Sequence, residues 1–124
     1  MATIAIDFDG TVVKHKYPFM GEDIGAIPVL KELVANGHKL ILFTMRSNYE
    51  LIAAIGWFNQ NEIPLYGVNK HPTQDNWTSS TKCHAEYCID DRNIGTPLLQ
   101  DSQGRHYVDW NRMKSLLQMK KLLP

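Results

Sequence analysis

The chain has 124 residues, 44% hydrophobic and 21% charged, with 13 Lys and Arg offsetting 13 Asp and Glu. That length makes one domain, residues 1–124, able to bury a core, and a net charge of zero offers no electrostatic footprint for a nucleic-acid backbone or an anionic membrane. No run approaches the ~20 apolar residues of a membrane span, no basic and apolar leader opens the chain, and two cysteines make no disulfide framework, so a cytoplasmic protein with reduced thiols is expected.

Residues 3–7 (TIAID) read as a buried strand. Residues 27–36 read as a helix: Pro28 suits the first turn, Leu30, Leu33 and Val34 share a face, and Asn36-Gly37 stops it. HKLILFT, residues 38–44, is a second buried strand. Ser47 through Glu50 matches a capping box and opens a helix with Leu51, Ile55 and Phe58 on one face. PLYGV, 64–68, is a third strand, followed by a polar loop over 69–82. EYCID, 86–90, is a fourth strand, and RHYVD, 105–109, a candidate fifth after Gly104. The last helix runs from about 110 to 121 on Met113, Leu116 and Leu117. Apolar strands alternating with helices predict an α/β fold: a three-layer, Rossmann-like sandwich around a mainly parallel sheet. Ligands in such folds bind outside the carboxyl ends of the strands.

Those ends carry the polar chemistry. The first strand ends in Asp7-Phe-Asp9-Gly10-Thr11, the second in Thr44-Met45-Arg46, and the fourth follows Lys82 and ends in Asp90-Asp91-Arg92. Carboxylates gathered on one rim repel unless a cation compensates them. Oxygen ligands without a Cys or His cluster favour Mg²⁺, so Asp7, Asp9, Asp90 and Asp91 are the candidate metal residues. The remaining groups suit a phosphorylated substrate. Lys82 can neutralise phosphoryl charge, Thr44 can donate a hydrogen bond, Arg46 adds a cation, and the Gly10-Thr11 turn can offer backbone N–H groups to phosphate oxygens. Cys83, His84 and Cys88 do not have zinc-site spacing.

The ordered set Asp-x-Asp-Gly-Thr, Thr44, Lys82 and Asp90-Asp91 resembles the haloacid dehalogenase superfamily over residues 3 to about 93. The resemblance implies a Mg²⁺-dependent phosphomonoester hydrolase. Asp7 would be the nucleophile that forms an aspartyl-phosphate. Asp9 would be the general acid and base and would offer its backbone carbonyl to the metal. Thr44 and Lys82 would hold the phosphoryl oxygens, and Asp90 and Asp91 would bind the metal. Lys70 is the alternative lysine, and Lys82 fits the family spacing better, although Cys83 follows it where many members have proline. Arg46 and Arg92 resemble residues of polynucleotide end-processing phosphatases in the same superfamily.

Neither inter-motif gap, 12–43 or 45–81, has room for a cap domain. The expectation is a capless member, with the flap 12–23 and the 69–82 loop shaping the site through Lys14, His15, Tyr17, Lys70, His71 and Trp77. An open rim also makes a homo-oligomer plausible. The competing functions are a phospho-signalling receiver, a catalytically idle scaffold, and a phosphotransferase or dehalogenase of the same fold. In receivers the acidic pair follows the first strand and the acceptor Asp follows the third; here the third strand ends Val68-Asn69.

Overall fold

A computed structural model describes all of residues 1–124. Four parallel strands form the sheet: β1 (Thr3–Ile6), β2 (Lys39–Leu42), β3 (Gly67–Val68) and β4 (Tyr87–Ile89), in the order β3-β2-β1-β4. The helices are α1 (Ala26–Ala35), α2 (Asn48–Gln60) and α3 (Trp110–Met119). A separate antiparallel hairpin joins β5 (Leu98–Gln100) to β6 (His106–Val108). The fold is therefore α/β with a mainly parallel sheet, as its apolar strands predict.

The two-residue strand period divides the sheet residues between its faces. Ile4 and Ile6 of β1 stand beside Leu40 and Leu42 of β2. Together with Phe8 and Ile89 they form the main core against Leu30 and Leu33 of α1, Phe58 of α2 and Leu117 of α3. Phe8 packs on Trp57 and Phe58 at ring distances of 5.7 and 6.1 Å, pairs worth roughly 0.5–1.5 kcal/mol each beyond their burial. Fixing Phe8 in this core turns its neighbours Asp7 and Asp9 away from it.

All three α-helices thus share one core, and the second face of the sheet has no α-helix. Ala5 and Ile41 meet only Cys83 there, with Tyr66 and Ala85 alongside. The crossover from β3 to β4 has no apolar periodicity from which to build a helix. Buried Gln74 organises it instead. Its Oε1 accepts from the backbone N–H of His71 (3.0 Å) and His84 (2.9 Å), and its Nε2 donates to the carbonyls of Ser80 (3.3 Å) and Lys82 (3.1 Å). In place of a helical third layer stands a loop with one short 3₁₀ turn, Gln74–Asn76, pinned by the Gln74 amide.

Other local expectations differ in detail. Ser47 makes no capping bond, because Asn48 begins α2 with a φ of 52°, and that left-handed turn disrupts the geometry a capping box needs. Asp23 anchors the start of α1 instead, accepting from the N–H groups of Gly25, Ala26 and Ile27. The fifth strand is present as β6 but lies outside the parallel sheet. Its partner β5 has no alternating pattern that marked it in the sequence.

Candidate active site

The site lies at the carboxyl ends of β1, β2 and β4. A cavity of about 420 Å³ is lined by Asp7, Asp9, His15, Tyr17, Thr44, Met45, Arg46, Asp90, Asp91 and Arg92. Asp7, Asp90 and Asp91 each present a carboxylate oxygen, and these oxygens lie within 4.8 Å of one another. Three of the four carboxylates singled out as metal residues therefore converge.

The Asp9 carboxylate does not join them. Its carboxylate is gripped by Arg46, with Nε to Oδ2 at 2.8 Å and Nη2 to Oδ1 at 2.7 Å. The same guanidinium donates to the Phe19 carbonyl at 2.8 Å and the Glu50 carbonyl at 3.3 Å. It lies over the rings of Phe8 and Tyr17 at 5.1 and 5.3 Å and is 2% exposed. Arg46, expected to bind substrate, lines the cavity, but its guanidinium donors are taken up by Asp9 and two carbonyls. A planar fork of donors suits it to one bidentate carboxylate and two carbonyls. The bonds to Asp9 also hold the guanidinium more firmly charged than usual.

Gly10 and Thr11 are likewise structural rather than free contacts. The Gly10 N–H donates to Val13 O at 2.7 Å, and the Thr11 N–H to Phe8 O at 3.1 Å. Gly10 has a φ of 82°, and a Cβ there would collide with His15 and lie 2.6 Å from Asp91 Oδ2. Only glycine fits. The buried Thr11 hydroxyl donates to Asp7 Oδ2 at 2.7 Å and accepts from the Asp91 N–H at 3.0 Å, tying the two motifs together. The C-terminal elements brace this turn from outside. The Val108 N–H donates to Gly10 O at 3.0 Å and the Trp110 indole to Thr11 O at 2.7 Å. The backbone N–H groups of Phe8, Asp9 and Met45 find no acceptor within the protein, so the free amides are these rather than those of Gly10 and Thr11.

Thr44 lines the cavity as expected. Its hydroxyl oxygen accepts from the Arg46 N–H at 3.1 Å, and its own N–H donates to Asn69 Oδ1 at 2.8 Å. Asn69, with a φ of 60° at the end of β3, joins the ends of β2 and β3, a role its sequence position does not announce. His15 reaches from the flap to Asp91, Nε2 to Oδ2 at 3.1 Å. Of the six expected loop contacts, His15 and Tyr17 line the cavity; Lys14, Lys70, His71 and Trp77 do not. The rings of His71 and Trp77 each stand 5.3 Å from His84.

Neither candidate lysine lines the site. Lys70 is exposed and paired with Asp75 at 2.8 Å. Lys82 is exposed on a separate depression beside Trp77, Thr78 and Ser80. The β3–β4 crossover, anchored by Gln74, seats Cys83 against Ala5 and Ile41 on the sheet face, and the adjacent Lys82 lines that separate depression.

The carboxylates differ in character. Burial, and then the nearby Asp90 charge, push Asp7 up to about 7, although the Thr11 bond opposes this. Burial and the neighbouring Asp91 also raise Asp90. Burial alone would raise Asp91, but its bonds with His15 and the other two carboxyl groups outweigh that and hold it below the usual carboxylate range. Neighbouring carboxyl groups with opposite shifts characterise sites that bind metal or transfer protons.

The fold and this rim define a small α/β domain with an acidic site at its strand ends. No protein-family model and no curated protein matches the chain. Among solved structures it is similar to a conserved protein coded by a locus of Bacteroides thetaiotaomicron. The two share 37% sequence identity and a TM-score of 0.79, over 96% of this chain and 91% of that one. The chain belongs to the family of that conserved protein. No helix is long and apolar enough to cross a membrane.

Proposed function

We propose that the protein is a Mg²⁺-dependent phosphomonoester hydrolase of the haloacid dehalogenase type, working through an aspartyl-phosphate on Asp7. The observation that carries this reading is the division of labour between the first two aspartates. Asp7 faces Asp90 and Asp91 with its oxygens within 4.8 Å of theirs, while Asp9, two residues on, is turned away and held by Arg46. Two carboxyl groups with different tasks need two such environments.

The donor set fits magnesium: three carboxylates and no nitrogen or sulfur ligand among the converging groups. Asp7, Asp90 and Asp91 would hold the ion, which would offset their mutual repulsion and draw charge from the phosphoryl oxygens. Thr11 occupies Asp7 Oδ2, so Oδ1 is the oxygen free to attack phosphorus. As that bond forms, the bond from phosphorus to the leaving oxygen breaks, and Asp9 delivers a proton to that oxygen. To do so Asp9 gives up one of its two Arg46 bonds, and the oxygen so freed takes up, as the substrate enters, the proton that it delivers. Asp9 then takes a proton from water, the water oxygen attacks phosphorus as the bond from Asp7 to phosphorus breaks, inorganic phosphate is released, and the Asp7 carboxylate and the Asp9 acid are regenerated. The Thr44 hydroxyl and the free N–H groups of Phe8, Asp9 and Met45 can steady the phosphoryl oxygens as charge shifts.

The test is hydrolysis of para-nitrophenyl phosphate with and without Mg²⁺. Turnover that requires the metal and stops with chelator is expected. Absence of turnover, together with absence of Mg²⁺ binding by calorimetry, would refute the reading and favour an idle scaffold.

Metal affinity should depend on pH. Without metal Asp7 titrates at about 7, above its ordinary 3.8, so an ion must displace a proton below that value. Apparent Mg²⁺ affinity should fall about tenfold per unit as pH drops below 7 and level off above 8. Calorimetric titrations at pH 5.5, 6.5 and 8 check this. A flat profile would mean that Asp7 is not a ligand.

A further inference from the structure

The hydrolase reading leaves one role unfilled, because neither candidate lysine for the phosphoryl group lines the cavity. Each other candidate cation is committed or outside the cavity lining, as Lys14 of the flap is. Arg46 is spent on Asp9 and on two carbonyls. His15 is bonded to Asp91, Lys70 is paired with Asp75, and Lys82 lines a different depression. Arg92 remains. It lines the same cavity as Asp7 and Thr44, is exposed, and its guanidinium makes no hydrogen bond or ion pair in the protein.

Its backbone is firmly held. The Arg92 N–H donates to Asp90 Oδ1 at 2.9 Å. The following turn is closed by the Thr96 hydroxyl on the Asp90 carbonyl at 2.9 Å and by the Asn93 amide on the Cys88 carbonyl at 3.2 Å. A free guanidinium on a braced turn, beside converging carboxylates, is placed to engage a dianion that those carboxylates would otherwise repel. Resting on the hydrolase reading above, we propose that Arg92 is the residue that binds the substrate's phosphoryl oxygens, in place of a lysine. The planar fork can take two of those oxygens at once, an arrangement a lysine cannot reproduce.

The experiment compares wild type with Arg92→Ala, Arg92→Lys and the double variant Lys70→Ala/Lys82→Ala. Two readouts are taken in Mg²⁺: hydrolysis of para-nitrophenyl phosphate, and calorimetric binding of inorganic phosphate. Thermal melting confirms folding, and an exposed side chain without partners should leave it unmoved. Arg92→Ala is expected to weaken phosphate binding and to raise KM, each by roughly 10- to 100-fold. Arg92→Lys should recover part of the loss, and the double lysine variant should stay within about threefold of wild type. The inference is overturned if Arg92→Ala binds phosphate like wild type, or if the double lysine variant suffers the loss instead. In either case metal-dependent turnover by wild type would leave the hydrolase reading standing. Failure of wild type both to turn over and to bind phosphate would refute both.

Discussion

Replacing Asp7 with asparagine is expected to abolish metal-dependent phosphomonoester hydrolysis while making the metal-free protein more stable. The loss should be about a thousandfold or more in kcat, because an amide oxygen cannot form the acyl phosphate. The gain in stability follows from the same charge. Asp7 is raised from 3.8 to about 7 in the folded protein, so the folded state holds its proton more tightly than the unfolded state does. That contribution is complete below 3.8 and is lost as pH rises through 7. At pH 8 without metal, wild type therefore carries a disfavoured carboxylate that the variant lacks. Allowing for partial solvent screening, the variant should be more stable by roughly 1–3 kcal/mol, or about 5 °C or more in melting temperature. The difference should vanish near pH 4, and Mg²⁺ should raise the melting temperature of wild type more than that of the variant. Melting curves at pH 4 and 8, with chelator and with Mg²⁺, test all of this. A variant that keeps a tenth of the activity would remove Asp7 from the nucleophile's place.

Arg46→Ala should be the most damaging single change at the rim. It removes a buried guanidinium and leaves both Asp9 oxygens and the carbonyls of Phe19 and Glu50 without their donor. Breaking a buried pair in this way costs about 3–5 kcal/mol, which lowers the melting temperature by roughly 10 °C or more. Arg46→Lys separates positioning from folding. A lysine keeps the charge but cannot span the carboxylate and both carbonyls. That variant should fold, bind Mg²⁺ and inorganic phosphate like wild type, and lose kcat by roughly 10- to 100-fold with little change in KM. An unchanged kcat would show that Arg46 serves the fold alone.

The two substitutions act through opposite electrostatic situations. Asp7 faces like charges and carries an energetic cost that a bound cation would offset. Asp9 is already compensated by Arg46. Proteins commonly carry destabilising groups where they act and stabilising pairs beside them, and here the two lie on either side of Phe8, whose ring is buried in the core.

What could be read from the chain alone followed from short-range pattern. Apolar runs at residues 3–6 and 39–42 can only be buried strands, and polar groups placed just after them can only lie on the rim. Asp7, Thr44, Asp90 and Asp91 were legible for that reason, and the structure brings them to one cavity. The α/β class was legible from the alternation of element types. The partner of each side chain was not, because partners come from residues far apart in the chain. Arg46 meets Asp9 across 37 positions and His15 meets Asp91 across 76, and nothing near either residue specifies the other. The turn at Gly10 and Thr11 looked open in the sequence, but β6 and Trp110 close it from a distance of almost 100 residues. The surroundings of Lys82 are decided at long range for a similar reason. Spacing along the chain sets Lys82 near Asp90, whereas Gln74 folds the crossover onto a sheet face that no α-helix covers. Residue type and local period determine which groups lie at the strand ends; long-range packing decides which of them remain free to meet a ligand.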